Sequence, residues 1–169
     1  GILAELLFAV DRSYMLDGQL EGDPRPAPII EITAMSFGPL RMANGLTRLE
    51  TRFIGEPESM NRAESLSGKQ LAGGEALEAG LVTFAPDDID WEDEIRLLLE
   101  ERASFSPDAL TGMEANLRFV GPETTESKIF GRLSAWQNWI FQRPNAVGEE
   151  GALKLYGTGR RAKYDRNRI

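Results

Sequence analysis

Residues Gly68–Val82, GKQLAGGEALEAGLV, decide how this chain is read. After a Gly-Lys start, the Ala-Leu-Glu-Ala run is built from good helix formers. Gly80 breaks that run, and Leu81-Val82-Thr83-Phe84 follows as a short buried strand. The reading is therefore a helix–turn–strand unit. Few other stretches offer obvious chemistry, since the chain has no His and no Cys.

Working back from this unit, Pro57 sits in the first turn of a helix that runs to about Leu66. Gly45–Ile54 reads as a further helix, with Leu46, Leu49 and Phe53 on one stripe. Ser36–Asn44 is irregular, and Ile29–Thr33 is a short β-branched strand carrying Glu31. Three prolines make Glu21–Pro28 an exposed loop, and Asp17-Gly18 is a turn signal. Before it, Glu5–Val10 reads as a short apolar helix passing into a strand over 11–16.

Working forward, Asp90 is expected to cap a helix, with Asp93 at the capping-box position and Ile95, Leu98 and Leu99 as its apolar stripe. Ser106-Pro107-Asp108 opens a helix through Leu117. The longest helix is expected over Glu126–Gln142, where Ile129, Leu133, Trp136 and Ile140 repeat at helical spacing. Arg143-Pro144-Asn145 stops it. The glycine-rich, charged remainder reads as an extended tail. The fold class is thus α/β, with few short strands followed by mostly helices. So few strands do not make an independent sheet. Missing residues or a second chain are expected to complete it.

Composition narrows the partners. The chain has 169 residues, 41% hydrophobic and 27% charged, within the size of one domain and globular in character. A net charge of -8 argues against nucleic acid, whose phosphates require a basic face. Arg160, Arg161, Lys163 and Arg168 form a basic terminus that reads as a solvated tail. No apolar run approaches the roughly 20 residues of a membrane helix, so no membrane partner is expected. No secretory signal is visible, and the expected compartment is the cytoplasm. The first residue is Gly rather than Met, and an apolar run follows at once, which reads as a fragment of a longer chain. The acidic run Asp87–Glu94 lacks EF-hand spacing and suits a helix N-terminus, so no metal is expected.

Two carboxylates stand out. Glu5 lies in an otherwise apolar helix and Glu31 in an otherwise apolar strand. A carboxylate among apolar neighbours is costly to ionise, which suits proton transfer. Two of them meeting at one water or hydroxyl would form an acid–base pair. The structural alternative places Glu31 on a solvated face and pairs Glu5 with Arg12 or Arg48. Trp136 and Trp139, with Phe130 and Phe141, suggest either an aromatic pocket or plain helix packing; their spacing favours packing.

The 68–82 unit resembles the G-x-x-x-x-A-x-E-A-L-x-x-G-L-V signature of the crotonase (enoyl-CoA hydratase/isomerase) superfamily. Further likenesses are Glu5-Leu6-Leu7 running to Asp11, Pro28-Ile-Ile-Glu31, and Asn44-Gly45-Leu46-Thr47-Arg48-Leu49. The resemblance implies the later portion of a crotonase-like fold. It makes residues 1–84 the second half of such a core, 85–143 a C-terminal helical region and 144–169 an extended tail. It implies that Glu5 and Glu31 are the acid–base carboxylates. It also implies backbone N–H donors at Gly1 and Ile2 for a thioester enolate. The segments AVDRSYML, FAPDDIDWEDEIR, SPDALTGMEANLRF and ESKIFGRLSAWQNWIFQRPNAVGEEGALKLYG resemble, within that superfamily, the ring-cleaving lyases of aerobic benzoyl-CoA breakdown. That likeness implies an aromatic acyl-CoA substrate, no further cofactor, an upstream half carrying the main site, and a homodimer. It leaves two alternatives, a non-catalytic structural or dimerisation half and another enoyl-CoA hydratase/isomerase-like protein.

Overall fold

The computed structural model describes residues 1–118 and 121–164. Among these the protein is mixed α/β but mostly helical, with two short strands. It divides into two compact units, 1–98 and 99–169.

The first unit opens with helix α1 (Ala4–Phe8), which buries Ala4, Glu5 and Phe8. Strand β1 (Ile30–Glu31) pairs antiparallel with β2 (Gln70–Leu71), Ile30 opposite Leu71. The expected strand over 29–33 is shortened because Thr33 leaves the ladder. Its hydroxyl instead accepts from the Met35 amide and caps a 3-10 turn, Ala34–Phe37, within a stretch expected to be irregular. Helix α2 (Arg48–Arg52) begins later than Gly45. Gly45 has φ +81°, outside the right-handed helical region, and a capping box fixes the start. In that box Glu50 N donates to the Thr47 hydroxyl at 3.1 Å, and Thr47 N donates to the Glu50 carboxylate at 2.5 Å. Helix α3 (Pro57–Ser65) carries Pro57 in its first turn, as its sequence requires.

Helix α4 (Gly73–Glu78) carries the 68–82 motif. At its start the Glu75 carboxylate accepts from Ala72 N at 2.9 Å. At its end Gly80 N donates to Leu77 O, and Leu81 N reaches back to Ala76 O, both at 2.9 Å. This is a Schellman ending, and it places Gly80 at φ +72°. Leu81 and Ala76 are both fully buried beside it. The start is equally tight, since a Cβ on Gly73 would lie 2.8 Å from the Asp17 backbone. The helix and turn of the expected unit are present; the strand is not. Leu81 and Val82 donate back into the helix end, and Thr83 and Phe84 both donate to Ser13 O. With those amides engaged, only an isolated parallel bridge, Tyr14 to Phe84, remains. The strand expected over 11–16 is reduced to the same bridge. Its two rings stack with centroids 4.8 Å apart.

The core of this unit joins Phe8, Ile30, Ile32, Leu49, Phe53, Ala76 and Leu81 with their neighbours. Helix α5 (Trp91–Ser104) buries none of its residues, so the stripe expected at Ile95, Leu98 and Leu99 does not enter a core. Its start is organised by the Asp87 carboxylate, which accepts from Ile89 N and Asp90 N, while Asp93 pairs with Arg96 at 3.1 Å.

In the second unit α6 (Pro107–Arg118) matches its expected range, and Phe119 lies outside the described residues. The long helix is composite: α7 (Thr125–Lys128), a π-turn (Ile129–Leu133) and α8 (Ser134–Ile140). Thr124 caps it, its hydroxyl accepting from Ser127 N. The π-turn adds a residue to the helical repeat and rotates the face that follows. Ile129 and Leu133 are therefore exposed, while Trp136 and Ile140 lie half-buried beside Gly112 of α6. The region expected to be an extended tail holds two short helices, α9 (Pro144–Val147) and α10 (Ala152–Leu155). Glycines allow this compaction: a Cβ on Gly151 would meet the Ala146 carbonyl oxygen at 2.6 Å. Lys163 folds back on Glu150, with 2.8 Å between side chains. Arg168 lies outside the described residues.

Candidate functional site

Glu5 sits on the inner face of α1 with its side chain only 8% exposed. A buried carboxylate needs a charge partner or donors. Arg48, the first residue of α2, supplies one, with Nη1 donating to Glu5 Oε2 at 3.2 Å. The α2 start is set by the Thr47–Glu50 capping box, so the cap fixes where the guanidinium is presented. The other carboxylate oxygen, Glu5 Oε1, is buried and has no hydrogen-bond partner. Two hydroxyls of the same unit share that condition, Ser36 Oγ in the 3-10 turn and Thr51 Oγ1 on α2.

Glu31 is placed differently. Strand alternation turns Ile30 inward and Glu31 out to solvent. Its carbonyl oxygen accepts from the Gly1 nitrogen at 2.6 Å, which ties the first residue to β1. The Gly1 carbonyl accepts from Ala4 N and the Ile2 carbonyl from Glu5 N, so both form the entry turn of α1. Of the four residues implied by the resemblance, the structure buries Glu5, exposes Glu31 and gathers Gly1 and Ile2 at the start of α1. The Glu5 partner is Arg48, one of the two arginines the sequence alternatives offered. The orphan hydroxyls of Ser36 and Thr51 carry no sequence signal, because only packing decides whether a hydroxyl finds a partner.

The neighbouring electrostatics are directed elsewhere. Glu50 is held below its ordinary value chiefly by the Thr47 amide, with its hydroxyl and Arg41 adding to the effect. Arg52 donates to Gly80 O at 2.6 Å, and burial pulls its guanidinium down from its ordinary value. Both contacts lock α2 to its surroundings and leave Arg48 as the cation that reaches Glu5.

The second unit has its own polar centre. Asp108 of α6 is buried, with Asn145 Nδ2 donating to one oxygen at 2.9 Å and Arg143 Nε donating to the other at 3.3 Å. The Arg143 guanidinium lies 4.8 Å over the Trp139 ring. Trp139 in turn meets Trp136 edge-on, with centroids 5.5 Å apart. The tryptophans are thus engaged in packing, while Phe130 points into solvent at 72% exposure. The long helix ends at Ile140, just before the expected stop at Arg143-Pro144-Asn145, and Asn145 also fastens α9 to α6.

Among the described residues no group of His, Cys, Asp and Glu could hold a metal ion. No helix among them is long and apolar enough to cross a membrane.

No protein-family model matches the chain. Over all 169 residues it is 53% identical to benzoyl-CoA-dihydrodiol lyase of Aromatoleum evansii. The match covers 100% of this chain and 30% of that relative, so the chain spans under a third of the relative's length.

Proposed function

We propose that this chain, a homologue of one part of benzoyl-CoA-dihydrodiol lyase, is a segment of a lyase that opens the ring of an aromatic acyl-CoA. The observation that carries the reading is the 53% identity over all 169 residues of the chain. The substrate in this reading is benzoyl-CoA dihydrodiol or 2,3-epoxybenzoyl-CoA, and the products are a semialdehyde-CoA and formate. The wider fold is crotonase-like, with the main CoA-binding half elsewhere in the same polypeptide and the working protein a cytoplasmic homodimer.

Within this segment Glu5 is the general base. Its oxygen Oε1 accepts a proton from water, the O–H electron pair stays on the water oxygen, and that oxygen bonds to the epoxide ring carbon as the carbon–oxygen bond there breaks, its electron pair passing to the departing oxygen, which takes up a proton. Glu31, on the solvent side, returns protons by exchange with water. Gly1 and Ile2 are the backbone N–H donors that polarise the thioester in this reading.

Glu5→Gln and Glu31→Gln in the full-length protein test this, with turnover of the dihydrodiol or epoxide as readout. Loss of about 100-fold or more in Glu5→Gln is the expected result. Near-normal turnover in both variants would remove the chemistry from this segment.

A second reading has its own observation. The entry turn and outer face of α1 expose Ile2, Leu3 and Leu6, each more than half exposed. Such a face belongs against protein. In this reading the segment is a structural half that supports the catalytic one. It predicts that Leu6→Asp lowers solubility or stability of the full-length protein, while both Gln variants remain active.

A further inference from the structure

We propose that Arg48 is the positioning residue of the Glu5 carboxylate, and that Glu5 Oε1 receives a neutral hydroxyl or water. The inference rests on the reading of Glu5 as a base and extends it to the residue that orients that base and to the class of group bound.

The Glu5 carboxylate is asymmetric. Oε2 is engaged with Arg48 Nη1 at 3.2 Å, whereas Oε1 is buried without a partner. A buried oxygen that lacks a donor is costly, and such groups in native proteins mark an unfilled role or a water. The charge of the missing donor follows from the pair. Glu5 and Arg48 neutralise one another, so a further cation would face the guanidinium and a further anion the carboxylate. A neutral O–H donor fits both.

The surroundings agree. Ser36 Oγ and Thr51 Oγ1 are likewise buried and unpartnered, and α2 packs on both α1 and the 3-10 turn that carries Ser36. Three orphan oxygens, on α2 and on the two segments that α2 packs against, favour a polar niche over an isolated defect. Arg48 keeps 31% of its side chain exposed, so the pair reaches solvent along the guanidinium. Other charges on α2 are held away from Glu5: Glu50 by the Thr47 amide and Arg52 by Gly80 O. Glu31 on β1 faces solvent. Arg48 therefore fixes which oxygen of Glu5 is left open. The proton that Oε1 accepts comes from the bound O–H, whose electron pair remains on its own oxygen.

The test compares Arg48→Met, Arg48→Lys and Glu5→Gln in the full-length protein, measuring kcat and KM with the benzoyl-CoA-derived substrate beside thermal unfolding. Expected is a kcat about tenfold or more lower in Arg48→Met, KM within about twofold, and substantial recovery in Arg48→Lys. Should Arg48→Met fail to fold, Arg48→Gln replaces it, and the expected order of kcat is Arg, then Lys, then Gln. Parental kcat in a folded Arg48→Met or Arg48→Gln, with Glu5→Gln inactive, overturns the positioning role alone. Equal losses in the Lys, Met and Gln variants that track lost stability also overturn it. Near-normal turnover in Glu5→Gln instead overturns the reading of Glu5 as the base.

Discussion

The two units are held together by different physics. In residues 1–98 an apolar cluster from Ala4 to Val82 closes around fully buried Ile32, Leu49 and Leu81. Its one buried acid, Glu5, is paired on one side only. Among the described residues of the second unit the buried positions are few and largely polar or small: Asp108, Gly112, Asn145, Ala146, Gly151 and Leu155. There both oxygens of Asp108 are bonded, and glycines let backbones touch. A saturated buried carboxylate fits a structural role, whereas a half-saturated one is what the proposed role of Glu5 requires. The contrast separates Glu5 from Asp108, although both sit at the starts of helices and both pair with an arginine.

The contrast can be broken most directly in the first core. Leu81→Ala removes a fully buried side chain beside the Schellman ending of α4. It is expected to cost about 2–5 kcal/mol by chemical denaturation. A cost well under 1 kcal/mol would mean the apolar cluster is not what holds the first unit.

The second unit predicts an intermediate effect that depends on which glycine is changed. At Gly151 an added methyl meets the carbonyl oxygens of Ala146 and Pro144 at 2.6 and 2.9 Å, which only backbone movement relieves. Gly151→Ala should cost about 1–3 kcal/mol. At Gly112 the obstruction is Ile140 Cδ1 at 2.9 Å, the far end of a side chain that can rotate away. Gly112→Ala also gains helix propensity of about 1 kcal/mol, so its net effect on unfolding is expected to be near neutral. Reversal of that order would mean the α9–α10 turn does not pack in this way.

The smallest effect concerns pH. The Glu50 carboxyl is held below its ordinary value of 4.5, first by the Thr47 amide. Its contribution to stability is therefore present above the unfolded-state value and is lost as pH falls through the lower, folded-state value. Glu50→Gln keeps an oxygen acceptor for Thr47 N but carries no charge. Thermal unfolding at about pH 6 and about pH 3 should show a shallower acid decline in Glu50→Gln than in the parent. An unchanged decline would remove the capping box from the acid response.

The sequence by itself determined the local signals. Pro57 and Pro107 opened helices where proline's fixed φ suits the first turn, and Gly80 ended α4 at a positive φ. These depend on nearest neighbours, so they survive without tertiary knowledge. Glu5 was legible as an acid in an apolar run, and Arg48 as one of two partners for it. Tertiary structure decided the rest, because hydrogen-bond donors can be claimed by distant segments. Ala76 and Ser13 between them took the amides that would have made 81–84 a strand, and Thr33 left its strand to cap a turn. The π-turn at 129–133 rotated a stripe that looked continuous in sequence. Which oxygen of Glu5 is left without a donor follows from where Arg48 is presented. That placement is set by a cap and a packed helix, so no reading of residue order contains it.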